Sequence, residues 1–346
     1  MKLLQTIVLG RANEDRDSGW SDHIEYVDWI DDERILYCSR SGWITCRHLK
    51  TQTNLWRHQI EFKYAHFSLC RNTQVFAMLS NWEGEKQIVV IDCNSGEFLA
   101  KWIGSEIESL LQVDHALPTN IALTPVTGKL LVTLFSFTFG NNGFILDNNY
   151  RQVEGRFETD GFVHRISVSN NEQQRIVMLA DDDVVSVLDL PSRAWLFLQG
   201  ERIYEKQLSQ EGESSEGINQ VFHDGQDLLM IGHGGLNATI YVHSLLNDTV
   251  ESFCGTSCLD QRDVDFANQR IAITGLGKDL SIRTFGGREL AYLPNINLQQ
   301  NSCIKLSPSL TRVLVGSWDS TVSVYEISPE ADPDEPTWYQ AIDIVF

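Results

Sequence analysis

Apolar and polar residues alternate one by one along most of this chain, in short runs separated by polar turns. The clearest example, VLVGSWDSTVSVYEI at 313–327, holds two alternating runs around a turn. Period-2 alternation marks β-strands, whereas apolar residues at i, i+3, i+4 and i+7 mark helices. No long stretch carries the helical pattern, so helices are expected to be nearly absent.

Used as a template, the strand–turn–strand pattern recurs at RILYCSRSGWITCRHLKTQTNLWRH (34–58) and VFAMLSNWEGEKQIVVIDCNSGEFLAKW (75–102). It recurs again at LLVTLFSFTFGNNGFILDNNYRQVEGRF (130–157) and RIVMLADDDVVSVLDLPSRAWLFL (175–198). LLMIGHGGLNATIYVHSLLNDTVESF (228–253) and RIAITGLGKDLSIRTFGGRELAYL (270–293) complete the set. A further short strand precedes most copies: IEYVDWI, YAHFSLC, NIALT, HRISVS, INQVF, VDFA and CIKLS. Third strands then begin near Trp43, Gln87, Gly143, Val184, Ala238, Asp279 and Thr321.

Units repeating every roughly 40–55 residues have the period of β-propeller blades, four-stranded sheets that bury their faces by stacking around an axis. The expected architecture is all-β: a seven-bladed β-propeller of four-stranded antiparallel blades over residues 1–327. An acidic linker and an apolar C-terminal tail follow at 328–346. The seventh unit lacks a fourth strand of its own. LLQTIVLG at 3–10 and TWYQAIDIVF at 337–346 compete for that place, and the N-terminal run is preferred because it belongs to no other blade.

GSWDSTVSVYEI resembles the second and third strands of a WD-repeat blade, and CIKLSPS upstream is similar to that family's first strand and following turn. The resemblance implies a hydrogen-bond network in which Ser317 and Asp319 match family positions. Tyr325 stands in place of the usual Trp and Glu326 in place of the Asp after it. The family's His has no counterpart in the preceding NLQQNS. Elsewhere only isolated acids remain, as in Val-Ile-Asp at 90–92 and Val-Leu-Asp at 187–189. The resemblance covers the whole chain by period and is specific by motif in the last blade.

Charge narrows the function. With 27 basic against 47 acidic residues the formal charge is −20. Nucleic-acid affinity comes largely from Lys and Arg neutralising phosphates, so neither nucleic acid nor an anionic membrane is an expected partner. The opening MKLLQTIVL is short for a leader and no small-residue cleavage site follows, so it reads as a strand. The 7 cysteines are odd in number and scattered, which fits reduced, mostly buried thiols in a cytoplasmic protein.

Catalytic and metal motifs are fragmentary. Cys254 and Cys258 form a lone C-x₃-C, short of the four ligands of structural zinc. Gly275-Leu-Gly-Lys278 lacks the span and helix of a phosphate loop. Gly232-His-Gly-Gly235 has no nucleophile elbow beside it. Asp181, Asp182 and Asp183 lack the spacing of a calcium loop and read as an acidic turn. The first strands expected to face the channel are mostly apolar with few clustered acids. No cofactor, no metal and no enzyme activity are expected. A propeller enzyme or small-ligand binder using the central channel stands as the alternative.

The turns between second and third strands share one face of a WD-repeat propeller, by resemblance, with the connectors between blades. On that face fall Trp318, Trp43, Trp82, Phe137 and Phe139, on blades seven, one, two and three, followed by Asp181–Asp183 on blade four. Aromatics gathered on one surface suit a protein partner, because they bury large area at little side-chain entropy cost. The alternative for each is to fold down on its neighbour, and Trp43 in particular begins a third strand.

ERIYEKQLSQEGESSEG at 201–217 reads as a long insertion between blades four and five. In the tail, an extended backbone places Trp338, Ile342, Ile344 and Phe346 on one side, interrupted by Gln340. That side either packs on the propeller or extends a partner's sheet. The functional expectation is a non-catalytic interaction platform, a subunit of a cytoplasmic hetero-complex rather than a homo-oligomer. Its partners would be basic or bring apolar anchors. A regulatory or sensor subunit of an effector enzyme is the second form of the same reading.

Overall fold

A computed structural model of the chain contains seven four-stranded antiparallel sheets. It describes residues 1–8, 22–62, 64–82, 85–115, 117–135, 141–159, 162–168, 175–181, 193–198, 201–207, 218–223, 228–233, 239–244, 247, 249–254, 261–265, 268–274, 280–293 and 301–327.

Blade one comprises Ile24–Trp29, Arg34–Ser39, Trp43–His48 and Thr53–Gln59. Blade two comprises Tyr64–Cys70, Val75–Trp82, Glu85–Asp92 and Phe98–Ile103. Blade three follows with Leu117–Leu123, Leu130–Phe135, Asn141–Leu146 and Val153–Thr159. Blade four has Phe162–Val168, Arg175–Asp181, Arg193–Leu198 and Glu201–Gln207. Blade five has Ile218–His223, Leu228–His233, Thr239–Ser244 and Thr249–Cys254. Blade six has Gln261–Asp265, Arg270–Thr274, Leu280–Thr284 and Glu289–Leu293. Blade seven takes Asn301–Leu306, Arg312–Ser317 and Thr321–Glu326 from the end of the chain and Lys2–Val8 from its start.

The N-terminal strand is therefore the closing one. It runs antiparallel to Thr321–Glu326, with Lys2 opposite Glu326 and Val8 opposite Thr321. Closure removes the open ends that a linear array of sheets would leave for unwanted pairing.

The second strands show why the chain needs a ring. In blade one, Leu36 and Cys38 pack toward Phe76, Met78 and Val89 of blade two. Ile35 and Tyr37 on the opposite face pack with Leu314 and Val322 of blade seven. In blade two, Phe76 and Met78 face blade one, while Ala77 and Leu79 join Leu123, Val132 and Phe144 of blade three. Neighbours lie on both faces, so these strands are apolar on both sides of the alternation. The same interleaving joins blades five and six through Ile240, Val242, Ile271 and Ile273, and blades six and seven through Ala272, Ile282, Val313 and Val315. Adjacent first strands link blades three, four and five. Each such fully buried aliphatic stabilises the fold by about 1.5–3 kcal/mol.

Antiparallel order sets two faces. Turns between second and third strands and connectors between blades lie on one, here the upper; the remaining turns lie on the lower. In keeping with the expectation that helices are nearly absent, the described residues hold one short helix, Ser105–Leu111, in the connector from blade two to blade three. Its Ile107 and Leu111 are one turn apart and both buried in the cluster between those blades. A pattern only two turns long is too brief to stand out from alternation.

Blade four departs from expectation in register. Its third strand is Arg193–Leu198, with Met178 opposite Trp195, and not a strand beginning near Val184. Its fourth is Glu201–Gln207, so the start of the expected insertion is part of the blade. Two consecutive runs, VVSVLDL and RAWLFL, both alternate, and periodicity alone cannot choose between them; the second presents the larger aromatic and aliphatic side chains. The rest of the expected insertion, 208–217, lies outside the described residues.

Cys38, Cys46, Cys70 and Cys93 are buried and Cys303 is half-buried, none of them in a disulfide. Burial pushes the Cys46 thiol up to about 12 and the Cys93 thiol up as well. These sulfurs are core atoms and poor nucleophiles. No helix among the described residues is long and apolar enough to cross a membrane.

Candidate functional site

The upper surface over blades seven and one is built from the loop entering blade one. Asp22 accepts hydrogen bonds from the Ser41 N–H (2.8 Å) and Oγ–H (2.7 Å), and the Arg40 N–H donates to the His23 carbonyl at 2.9 Å. The entering loop is thereby tied to the turn between second and third strands. Gly42 completes that turn with φ +89°, and a Cβ there would lie 2.3 Å from the Ile60 carbonyl oxygen. Only glycine meets both conditions.

On this base His23 is buried, with Nε2 2.8 Å from Glu25 Oε1 and 3.1 Å from Arg40 Nη1. The Trp318 ring stacks on the His23 imidazole, centroids 5.4 Å apart and planes 26° from parallel. Trp318 remains 36% exposed, so one aromatic side rests on a fixed imidazole while the rest meets solvent. Beside it, Asp319 closes its own turn by accepting from the Thr321 N–H at 3.1 Å. Tyr325, at the family's Trp position, is buried between blades six and seven.

Trp43 begins the third strand of blade one and is half-buried. The Arg57 guanidinium covers its ring at 3.6 Å from the centroid, a cation–π contact of about 0.5–1 kcal/mol at such an exposed place. Trp82 ends the second strand of blade two, opposite Glu85, and Asp181 ends the second strand of blade four, opposite Phe162. Their side chains, and Phe137, Phe139, Asp182 and Asp183 entirely, lie outside the described residues. Trp318 and Trp43 lie at the upper ends of strands in the neighbouring blades seven and one.

The lower part of the channel holds a second constellation that sequence reasoning missed. Asp28 accepts from Tyr26 Oη–H and from Arg71 Nη2–H, both at 2.8 Å. Asp263 accepts from Lys305 Nζ–H at 3.1 Å and from the Leu306 N–H at 2.7 Å. Trp29, fully buried, donates Nε1–H to the Lys305 carbonyl at 3.0 Å. Two acids and two bases thus join blades six, seven, one and two. The cluster takes Asp28, Asp263 and Lys305 from three first strands and Arg71 from the turn after a fourth first strand, and ring closure brings these charges together.

The electrostatics follow from that pairing. Burial works against the Asp28 carboxylate, but Arg71 and Lys305 outweigh it and hold its pKa below the ordinary range. Burial likewise works against charge on Lys305, and Asp263 with Asp28 overcomes it, raising the ammonium pKa. Burial, then Asp28, pushes the Tyr26 phenol well up. The two acids and two bases point at one another, an arrangement suited to joining blades. A legible signal existed: Asp28 stands between Val27 and Trp29, and Lys305 between Ile304 and Leu306, each a charge between apolar neighbours where it needs a partner.

No family model matches the sequence, nor does any curated protein. Among solved structures, the crystal structure of the WD40 β-propeller domain of Doa1 is similar, with a TM-score of 0.64 and 12% identity, over 93% of this chain and 95% of that one. The likeness is one of fold: a WD40-type propeller.

Proposed function

We propose that the chain is a non-catalytic platform for protein–protein interaction, a subunit of a cytoplasmic hetero-complex that holds its partner on the upper face. The observation that carries this reading is Trp318, a large aromatic left 36% exposed on an imidazole fixed between Glu25 and Arg40. An aromatic already ordered before binding loses little entropy on contact, which is what interface anchors require. Trp43 under Arg57 extends the same surface, and the sequence pattern adds Trp82, Phe137, Phe139 and Asp181–Asp183 to the proposal. The formal charge of −20 favours a partner with a basic surface and speeds encounter with it. WD40 propellers generally serve as interaction domains, which adds an argument by analogy.

The test is capture of the tagged protein from its own cells, wild type against Trp318→Ala and the double variant Trp82→Ala with Trp318→Ala. Wild type retains a stoichiometric protein partner. The single variant retains at least tenfold less, the double variant less again, and melting temperatures stay within about 2 °C. Capture that is equal across the three proteins contradicts the proposal.

A further inference from the structure

Of the nine large apolar side chains that are exposed among the described residues, six gather on one rim, while Ile103, Leu117 and Trp318 lie toward the upper face. Leu3 and Leu4 open the fourth strand of blade seven, Leu55 lies near the start of that strand in blade one, and Phe98 with Leu99 open it in blade two. Val126 lies in the turn after the first strand of blade three. Fourth strands begin on the lower face, and the turn after a first strand lies there too. All six residues therefore mark the lower rim of four consecutive blades. Their exposures reach 49% at Leu3, 47% at Leu4 and 46% at both Leu55 and Phe98. Leu4 falls where the register shifts between Leu3 and Gln5, and Leu55 where it shifts between Cys46 and Arg47. Each is a bulge residue turned out of its ladder.

This rim is anchored beneath. Trp56 donates Nε1–H to the Cys93 carbonyl at 2.8 Å, and His58 Nε2 lies 2.7 Å from the Gly96 carbonyl. Gly96, at φ +77°, leaves room for Trp56, whose ring carbon would lie 2.7 Å from an added Cβ. The His58 ring meets Phe98 at 4.7 Å. The leucines stand on a rigid edge.

We infer that the rim of blades seven, one and two is the docking surface for the chain's own C-terminal segment, residues 337–346. The chain leaves blade seven at Ile327, at the lower end of the third strand and beside Lys2 and Leu3, which pair with Glu326 and Tyr325. Residues 9–21 leave the same blade from the opposite, upper end, past Val8. The C-terminal segment therefore starts on the rim. The stretch SPEADPDEP at 328–336 is proline-rich and acidic, a composition that favours an extended chain, and at about 3.1 Å per residue it reaches roughly 28 Å. Packed sheets stand about 10 Å apart, so that reach passes from blade seven across blade one to blade two. TWYQAIDIVF then brings Trp338, Ile342, Ile344 and Phe346 on one side of an extended backbone, apolar surface matched to apolar rim. Covering the rim removes exposed leucines from strand edges that would otherwise invite association between molecules.

The experiment places the photo-crosslinker p-benzoylphenylalanine at Trp338, and separately at Phe346, in the full-length protein and maps the products by mass spectrometry. Crosslinks within one molecule, to peptides covering 1–8, 50–59 or 94–101, are the expected result. Crosslinks to upper-face peptides, crosslinks between molecules or to another protein, or none at all overturn the inference. A variant carrying Leu4→Ser, Leu55→Ser and Leu99→Ser, all exposed positions, lowers the rim crosslinks at least tenfold while melting as the parent does. An unchanged yield from that variant overturns it as well.

Discussion

The two ends of the propeller axis use polar and aromatic side chains in opposite ways. At the lower channel, Asp28, Arg71, Lys305 and Asp263 turn toward one another and are satisfied within the ring. On the upper surface His23, Arg40 and Glu25 also pair among themselves, but they carry Trp318 outward instead of covering it. The contrast teaches that clustered charge is not by itself a reactive site. A cluster with every member paired joins blades; an ordered aromatic left partly in solvent is the kind of side chain the proposed interface would use.

Substitutions separate the two regions by stability. The largest loss is expected at Trp29, fully buried and hydrogen-bonded to blade seven: Trp29→Ala costs about 3–5 kcal/mol in urea unfolding. Asp28→Ala leaves Arg71 without its carboxylate. A buried pair broken from one side costs about 3–5 kcal/mol, and because Arg71 keeps 36% side-chain exposure, solvent screening reduces this to about 2 kcal/mol. Trp318→Ala removes one partly exposed ring and costs about 0.5 kcal/mol or less. A Trp318 loss as large as that at Trp29 would make the ring structural and erase the contrast.

Acid distinguishes the regions further. Asp28 has its folded-state pKa below the unfolded value of about 3.9. Its contribution is complete above that value and lost as pH falls through the folded one. Wild type therefore loses melting temperature more steeply than Asp28→Asn as pH is lowered from about 5 to about 2.5. Parallel profiles would mean that Asp28 is not held ionised by Arg71 and Lys305.

Much of the fold was legible because its cause is local. Second strands sandwiched between two blades are apolar throughout, and their spacing gives seven units and an orphan N-terminal strand to close them. Blade four was misread where two adjacent runs alternate equally well, since the choice between VVSVLDL and RAWLFL depends on pairing with Arg175–Asp181 and not on period. The upper site was half legible. Trp318 and Trp43 stand out as aromatics in turns, but His23, which orders Trp318, lies more than 290 positions away in sequence and meets it only through ring closure. The lower cluster showed in the sequence only as single charges between apolar neighbours; their partners come from other blades and are not legible strand by strand.

The central claim is that the upper face binds a protein through Trp318. Hydroxyl-radical footprinting of the purified protein, free and in complex with the captured partner, tests it most directly. The account predicts that oxidation of Trp318 falls at least fivefold in the complex, with Trp43 protected alongside and Leu55 and Phe98 on the lower rim unchanged. Equal oxidation of Trp318 in the two states, with protection found elsewhere, would contradict it.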